Sequence, residues 1–296
     1  MSINDKLRPV VVAVDGSDSA VRAARWAAAE ARRRGRVLRV VHADEWPLPT
    51  YGPVFVKPKL LQAAVQTAAA TVLRDAAAAV GEAEPQVRCE TQALSGPAVA
   101  VLREVSRHAA LLVLGSRGLG GFTGLLVGSV AVALAAHGYC PVVVVRGAEP
   151  AADGPVVVGV DGSPTSEAAL ALAFDEAAAR GVDLVAVHAW SDLVYPLYAG
   201  AYLPDIDWRP IEEQATELLA ERLAGWSEKY PQVRVRRLVE RDRPANALLT
   251  AAQPAQLLVV GSRGRGGFAG LTLGSVSQAM IHHAPCPVLV ARPDAS

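Results

Sequence analysis

Short apolar runs alternate along the chain with longer, alanine-rich stretches. Continuous β-branched or leucine-rich runs are typical of strands buried on both faces of a parallel sheet, and the longer stretches are long enough for helices. In the first half we predict strands at residues 10–14, 37–42, 86–92, 111–114 and 142–146. Helices are predicted at residues 18–34, 60–80, 97–108 and 129–137.

Turn-forming residues mark the ends of these predicted helices. Ser17 or Asp18 can cap the first helix through a side-chain oxygen, and Gly35 is expected to stop it. Gly81 is expected to end the second helix, and Pro97 suits the first turn of the third.

The whole pattern repeats after 146 residues, so that Asp15-Gly-Ser aligns with Asp161-Gly-Ser and His42-Ala with His188-Ala. Because this period has the size of a domain, we predict two complete domains, residues 1–147 and 154–296, rather than a solenoid. Alternating strands and helices predict α/β domains, each with a parallel sheet, helices on both faces and right-handed crossovers. In the second half the strands are predicted at residues 156–160, 184–188, 233–239, 257–260 and 288–292. One helix is predicted to start at residue 163, and two others are predicted at residues 211–229 and 244–252.

A glycine-rich stretch of the form Gly-x2-Gly-x9-Gly-Ser follows the fourth predicted strand in both halves, at residues 115–129 and 261–275. A buried strand, a glycine-rich turn and a helix start together form a place where backbone amides can surround an anion. Ligands of parallel α/β sheets bind beyond the carboxyl ends of the strands. The Asp15 turn, His42-Ala43 and Gly115 all follow strand ends, and we expect them to converge.

Two familiar nucleotide signatures fit poorly. A P-loop requires a lysine after its last glycine, and neither glycine-rich stretch contains one. The dinucleotide fingerprint Gly-x-Gly-x-x-Gly/Ala is met by residues 264–269, but the other copy has Thr123 and both copies follow the fourth strand rather than the first. A dehydrogenase is therefore disfavoured.

Composition excludes several other classes of protein. Hydrophobic residues make up 51% and charged residues 20% of the 296, as in globular domains, and the formal net charge is zero. A neutral chain argues against nucleic acid as the main partner, and no apolar run approaches the roughly 20 residues of a membrane span. The amino terminus lacks an apolar signal core, so a cytoplasmic protein is expected. Three cysteines without a Cys-x-x-Cys pair predict neither a disulfide framework nor a zinc site.

The order of these motifs resembles the universal stress protein family, and within it the tandem-domain, ATP-binding members of actinobacteria. Asp-Gly-Ser after strand one, Val-His-Ala after strand two and the long glycine motif after strand four carry the resemblance, which covers residues 8–293. It implies two tandem Rossmann-like, adenine nucleotide α-hydrolase-like domains, each with a five-stranded parallel sheet. It also implies one ATP per domain, little hydrolysis, a role in stress or dormancy responses, an unidentified protein partner and a homodimer.

The resemblance also assigns nucleotide contacts to matching positions of the two copies. Aspartates would contact the adenosine end, the alanines after the histidines would meet the adenine edge, and the glycine-rich stretches would surround ribose and phosphates. In the first copy these are Ala13, Asp15, Ala43, Gly115, Ser116, Arg117, Gly118, Leu119, Gly120, Gly121, Gly128, Ser129 and Val130. In the second they are Gly159, Asp161, Ala189, Asp192, Gly261, Ser262, Arg263, Gly264, Arg265, Gly266, Gly267, Gly274, Ser275 and Val276.

The two predicted sites differ in residues that bear on binding. Ala13 stands where the second copy has Gly159, and Leu119 stands against Arg265. We expect both sites to bind nucleotide, the second more tightly. Asp15 and Asp161 are candidates to hold Mg²⁺ through water. No catalytic constellation stands out, so an enzyme is not expected, and a weak ATPase or a nucleotide-transferring enzyme is the alternative. His42 and His188 are interpreted as packed, hydrogen-bonded residues.

Overall fold

The computed structural model describes residues 8–44, 58–119, 127–147, 153–190, 207–265 and 273–292. The chain divides into two compact units, one formed by Met1–Arg146 with Asp294–Ser296 and the other by Gly147–Pro293. Among the described helices, none combines the length and the apolar character that crossing a membrane requires.

The described strands of the first unit pair in parallel, in the order β3-β2-β1-β4-β5. The strands are β1 (Val10–Ala13), β2 (Leu38–Asp44), β3 (Cys89–Ser95), β4 (Leu111–Gly115) and β5 (Val142–Val145). The helices between them are α1 (Asp18–Arg34), α2 (Pro58–Ala83), α3 (Ala98–Val105) and α4 (Ser129–His137), with a 3₁₀ turn at Ser106–His108. The predicted α/β fold class is confirmed.

The central strands and α1 form the core of this unit. β5 is buried along its whole length, and β1 and β4 are buried except at their last residues. Helix α1 faces the sheet with alanines, whose small side chains let a helix approach a sheet closely. The alanines with no measurable exposure are Ala23, Ala24, Ala27, Ala28 and Ala31.

The predicted ends of α1 are confirmed. The Ser17 hydroxyl accepts a hydrogen bond from the backbone N–H of Ala20 at 3.2 Å, which satisfies one of the free donors of the first turn. Gly35 follows the last turn in the left-handed region with φ of 58°, a conformation that costs glycine little.

Other predicted boundaries were wrong. Helix α2 continues through Gly81 to Ala83, because a glycine in an exposed helix costs only about 1 kcal/mol and the tertiary context decides whether the helix stops there. Strand β3 begins at Cys89, three residues later than predicted, since its register is set by pairing with β2. Such pairing is not visible in local sequence.

The second unit has the same topology, with strand order β10-β9-β6-β7-β8. Its strands are β6 (Val156–Gly159), β7 (Leu184–Trp190), β8 (Val235–Arg241), β9 (Leu257–Gly261) and β10 (Val288–Ala291). Its described helices are α5 (Pro164–Arg180), α6 (Arg209–Leu223), α7 (Trp226–Lys229), α8 (Pro244–Ala251) and α9 (Ser275–His283).

The single helix predicted at 211–229 is in fact two. Ala224 ends α6 in an extended conformation, and Gly225 follows with φ of 78°, a value that a helix cannot accommodate. Trp226 and Tyr230 then stack on Phe174 of α5, with ring centroids 4.8 and 5.4 Å from that of Phe174. The break thus places Trp226 of α7 and the following Tyr230 over Phe174.

Candidate functional site

The aspartate after the first strand of each unit connects two turns of the same site. Asp161 accepts hydrogen bonds from the backbone N–H of Ser163 at 2.9 Å and from that of Arg265 at 3.0 Å. Asp15 accepts from the N–H groups of Ser17 and Leu119 at 3.0 and 2.9 Å. In both units the carboxylate therefore holds the glycine-rich stretch against the turn after strand one.

The second glycine of each motif makes this connection possible. A Cβ atom on Gly118 would lie 2.5 Å from Asp15 Oδ2, and one on Gly264 would lie 2.6 Å from Asp161 Oδ2. Ordinary carbon–oxygen contacts are longer, so a side chain there would displace the carboxylate. The glycine is thus required by a contact within the protein, whereas sequence reasoning had attributed it to the approach of a phosphate.

The first glycine of each motif has a packing role. A Cβ on Gly115 would lie 2.8 Å from the backbone of Ser19 on α1, and one on Gly261 would lie 2.9 Å from the backbone of Thr165 on α5. The Thr165 hydroxyl also donates to the backbone carbonyl of Arg263. These contacts bring the carboxyl end of the fourth strand against the start of the first helix.

The last glycine of each motif closes the loop on itself. The N–H of Gly128 donates to the carbonyl of Ser116, and that of Gly274 to the carbonyl of Ser262, each at 2.8 Å. These glycines are the N-caps of α4 and α9 and supply no side-chain cap. Their first turns therefore keep donors, and the positive end of the helix dipole, for an external acceptor.

A cavity of about 680 Å³ lies at the carboxyl ends of the strands in the second unit. It brings together most of the residues predicted for this site, as convergence of the three motifs required. The predicted residues that line it are Gly159, Asp161, Ala189, Gly261, Arg263, Gly264, Arg265, Gly274, Ser275 and Val276.

Several predicted residues lie elsewhere. Ser262 is buried and donates its backbone N–H to the carbonyl of Ala291 at 3.0 Å. Ser116 makes the matching bond to Val145 at 3.1 Å in the first unit. The predictions for Gly120, Gly121, Asp192, Gly266 and Gly267 fall outside the described residues.

The cavity also has lining residues that sequence reasoning missed. They are mainly apolar or come from helices, and they include Ser166, Val187, Trp190, Pro244, Leu248, Leu273 and Ser277. The 146-residue alignment carried a signal for some of them, since Trp190 and Ser277 replace Asp44 and Ala131. The position of Leu248 depends on α8 and has no local signature.

The two histidines are hydrogen-bonded to the residue that follows the neighbouring strand, as interpreted from the sequence. His42 Nδ1 lies 2.8 Å from the carbonyl of Val14, and His188 Nδ1 lies 2.7 Å from that of Val160. Because a carbonyl only accepts, Nδ1 carries the proton in both rings. His188 also lines the cavity, so its ring forms part of the wall.

Charge around the first turn differs between the units. The Arg265 guanidinium lies over Gly162, with Nη2 2.7 Å from the position of a Cβ, and Arg222 approaches the same point and pairs with Glu167 at 3.7 Å. In the first unit Leu119 Cδ1 lies 3.8 Å from the equivalent point of Gly16. The second site is thus bordered by cations where the first has an apolar side chain.

The aspartates fit direct metal binding poorly. Both carboxylate oxygens of Asp15 and of Asp161 already accept hydrogen bonds from backbone N–H groups. A cation would have to displace these N–H groups or share the oxygens with them. Over the described ranges, no group of three or more His, Cys, Asp or Glu residues is placed to hold a metal ion. The Mg²⁺ expectation stays a prediction.

Comparison with known proteins agrees with this architecture. The family model described as "Universal stress protein family" matches residues 6–146 and 154–292. The chain belongs to the universal stress protein family. Universal stress protein Rv2623 of Mycobacterium tuberculosis is 42% identical over 301 residues, covering 99% of each chain, and Mb2019 of Mycobacterium bovis is 42% identical over 96% of this chain and 94% of its own.

A solved structure shows the same fold. The universal stress protein of Archaeoglobus fulgidus DSM 4304 superposes with a TM-score of 0.67 at 20% identity, over 96% of this chain and 98% of its own. At this level of identity the likeness concerns the fold. The tandem arrangement of two universal stress protein domains therefore agrees between sequence, structure and relatives.

Proposed function

We propose that this universal stress protein binds ATP, one molecule in each of the two domains at residues 1–147 and 154–296. It acts through a nucleotide-dependent conformation or partner contact, with little or no hydrolysis. The observation that carries the proposal is the cavity of the second unit, where Asp161, the glycine-rich stretch and the start of α9 meet at the strand ends. Its 680 Å³ lie within the range of small-molecule sites.

One end of the cavity suits phosphates. Ser275 and Val276 line it at the start of α9, where backbone N–H groups have no side-chain cap. Arg263 and Arg265 line it as well and supply positive charge. Helix donors, dipole and guanidinium groups together favour a polyanion.

The other end of the cavity suits a nucleoside. Val187, Ala189 and Leu248 provide apolar surface for a base, and Ala189 lies where β7 can offer main-chain groups to its edge. Ala43 ends the equivalent strand of the first unit. An adenine would thus lie over the strand ends with its triphosphate directed to α9.

Binding without turnover is supported by the side chains around the cavity. Asp161 is the one carboxylate among its described lining residues, and both of its oxygens accept backbone N–H groups. Hydrolysis of ATP requires a side chain that accepts a hydrogen bond from the attacking water and so positions it. A carboxylate that already accepts backbone hydrogen bonds on both oxygens is poorly suited to that role. A weak ATPase or a nucleotide-transferring enzyme is the alternative; Mg²⁺ would then arrive with the nucleotide.

Denaturing the purified protein and identifying any released nucleotide tests the proposal. We expect ATP at close to two equivalents, and fewer after Gly264→Ala, which weakens the second site. Protein that neither carries nor binds ATP in calorimetry would refute it. Turnover of ATP far above the Gly264→Ala background, and dependent on Asp161, would favour the enzyme.

The assembly is part of the same proposal. A homodimer, an unidentified protein partner and a cytoplasmic location are expected from the family resemblance. Light scattering of the protein with and without ATP measures the oligomeric state. A monomer under both conditions would contradict the dimer while leaving nucleotide binding intact.

A further inference from the structure

The second strands of the two units end on chemically opposite residues. Asp44 ends β2 and Trp190 ends β7, and both occupy the last register position of their strand, beside Ser95 and Arg241 respectively. The 146-residue repeat places them at the same point of the fold. Trp190 lines the cavity of the second unit, and the repeat therefore predicts Asp44 at the matching place of the first site.

Each residue presents a shielded polar atom without a hydrogen-bond partner among the described residues. In Trp190 this atom is the indole Nε1, a donor, and in Asp44 it is the carboxylate Oδ1, an acceptor. Leaving such an atom unpaired costs about 1–3 kcal/mol, and more for a charged group. A bound group that satisfies it therefore gains affinity.

The indole ring of Trp190 is held by its neighbours. Its centroid lies 6.0 Å from that of Trp208, and the Arg241 guanidinium lies 5.7 Å from the Trp190 centroid and 4.0 Å from that of Trp208. Aromatic and cation–π contacts of this kind fix the ring. The donor thus has a defined position at the nucleoside end.

We propose that Asp44 and Trp190 are the residues that give the two sites different nucleoside specificity. The first site selects a nucleoside that presents a hydrogen-bond donor to Asp44, and the second selects one that presents an acceptor to Trp190. This inference rests on the proposed function, because it concerns the nucleoside end of the same two sites. The donor read by Asp44 is the exocyclic amine or the ribose 2′-hydroxyl.

Three triphosphates distinguish these groups. Inosine triphosphate replaces the amine of ATP by an oxygen acceptor, and 2′-deoxy-ATP lacks one ribose hydroxyl. Each is titrated by calorimetry into proteins with one intact site: Gly264→Ala keeps the first, and Gly118→Ala keeps the second. In each background the relevant variant is added, namely Asp44→Ala and Asp44→Asn for the first site and Trp190→Phe for the second.

At the first site Asp44→Ala should weaken ATP by roughly 10- to 100-fold, as expected for a hydrogen bond to a charged group, and Asp44→Asn should recover part of the loss. Either inosine triphosphate or 2′-deoxy-ATP should bind more weakly than ATP, and Asp44→Ala should abolish that preference. Asp75→Ala, which changes an exposed carboxylate paired with Arg74, is the matched control and should have no effect.

At the second site inosine triphosphate should bind at least as well as ATP, and Trp190→Phe should weaken inosine triphosphate by roughly 3- to 10-fold and abolish any preference for it over ATP. Trp226→Phe is its control, since Trp226 stacks on Phe174 and is not among the residues that line the cavity, and it should leave affinity unchanged. Nucleotide should also change the tryptophan fluorescence of the wild type and of Trp226→Phe, but less in Trp190→Phe.

Failure of this inference differs from failure of the proposed function. If ATP binds both single-site proteins and Asp44→Ala and Trp190→Phe stay within twofold of their parents, the specificity role is overturned. Equal binding of all three triphosphates at the first site would overturn it as well. If ATP binds neither single-site protein nor the wild type, the proposed function itself fails.

Discussion

Gly264→Ala tests the central contact of the second site. The added methyl group would lie 2.6 Å from Asp161 Oδ2, so the carboxylate must move and its 3.0 Å bond from the N–H of Arg265 is lost. Gly264 does not have a left-handed φ, and the substitution therefore adds no backbone strain. The predicted effect on ATP binding therefore comes from displacement of the Asp161 carboxylate alone.

The size of the effect follows from that bond. A hydrogen bond to a charged group contributes about 1.5–3 kcal/mol, and the lower end applies here because the bond is solvent-exposed. Without this bond, ATP binding itself must supply the free energy that orders the glycine-rich stretch, and the Kd for ATP at the second site rises by roughly tenfold. The first site, which belongs to the other unit, should not change.

Calorimetry with ATP measures both sites in one titration. Gly81→Ala is the matched control, because a Cβ at Gly81 meets nothing within 4 Å and should at most stabilise α2 by about 1 kcal/mol. Gly118→Ala should give the complementary result, with the first site weakened. If Gly264→Ala remains folded and its second site keeps the wild-type Kd within twofold, the Asp161 contact does not shape the nucleotide site.

Three further changes test other parts of the second unit. Gly159→Ala places a methyl group 3.2 Å from Leu248 Cδ1 and should weaken ATP there by up to roughly tenfold in calorimetry. Ser163→Ala removes the N-cap of α5 and should lower the free energy of unfolding by about 1 kcal/mol in urea. Burial and Asp175 raise the pKa of Tyr230 to about 12. The stability that this raised pKa adds is present below about pH 10, the pKa of the unfolded state, and is lost as the pH rises to 12. Absorbance titration of the folded protein measures the pKa of Tyr230.

Each of these has a contradicting outcome. Unchanged ATP affinity in Gly159→Ala would show that the alanine of the first copy does not crowd its site. A Ser163→Ala protein as stable as the wild type would mean that the hydroxyl contributes nothing as a cap. A Tyr230 that titrates near pH 10 in the folded protein would contradict its contact with Asp175; Tyr230→Phe identifies its signal.

The sequence by itself determined the duplication, the order of strands and helices and the position of the motifs at strand ends. These features depend on local patterns: runs of valine and leucine, a Ser17 cap, a Gly35 stop and the recurrence of Asp-Gly-Ser. Each pattern is decided within a few residues along the chain, and the duplication is the recurrence of these patterns after 146 residues. Their consequence, convergence at one edge of a parallel sheet, follows from the alternation of strands and helices.

The tertiary structure decided which atoms the motifs contact. Asp161 and Arg265 are 104 residues apart, and their bond explains why Gly264 lacks a side chain. Trp190 and Leu248 enter the cavity wall from β7 and α8, whose approach depends on strand register and on crossover packing. Gly81 shows the same limit, because whether a glycine ends a helix depends on what the helix packs against as well as on the residue itself.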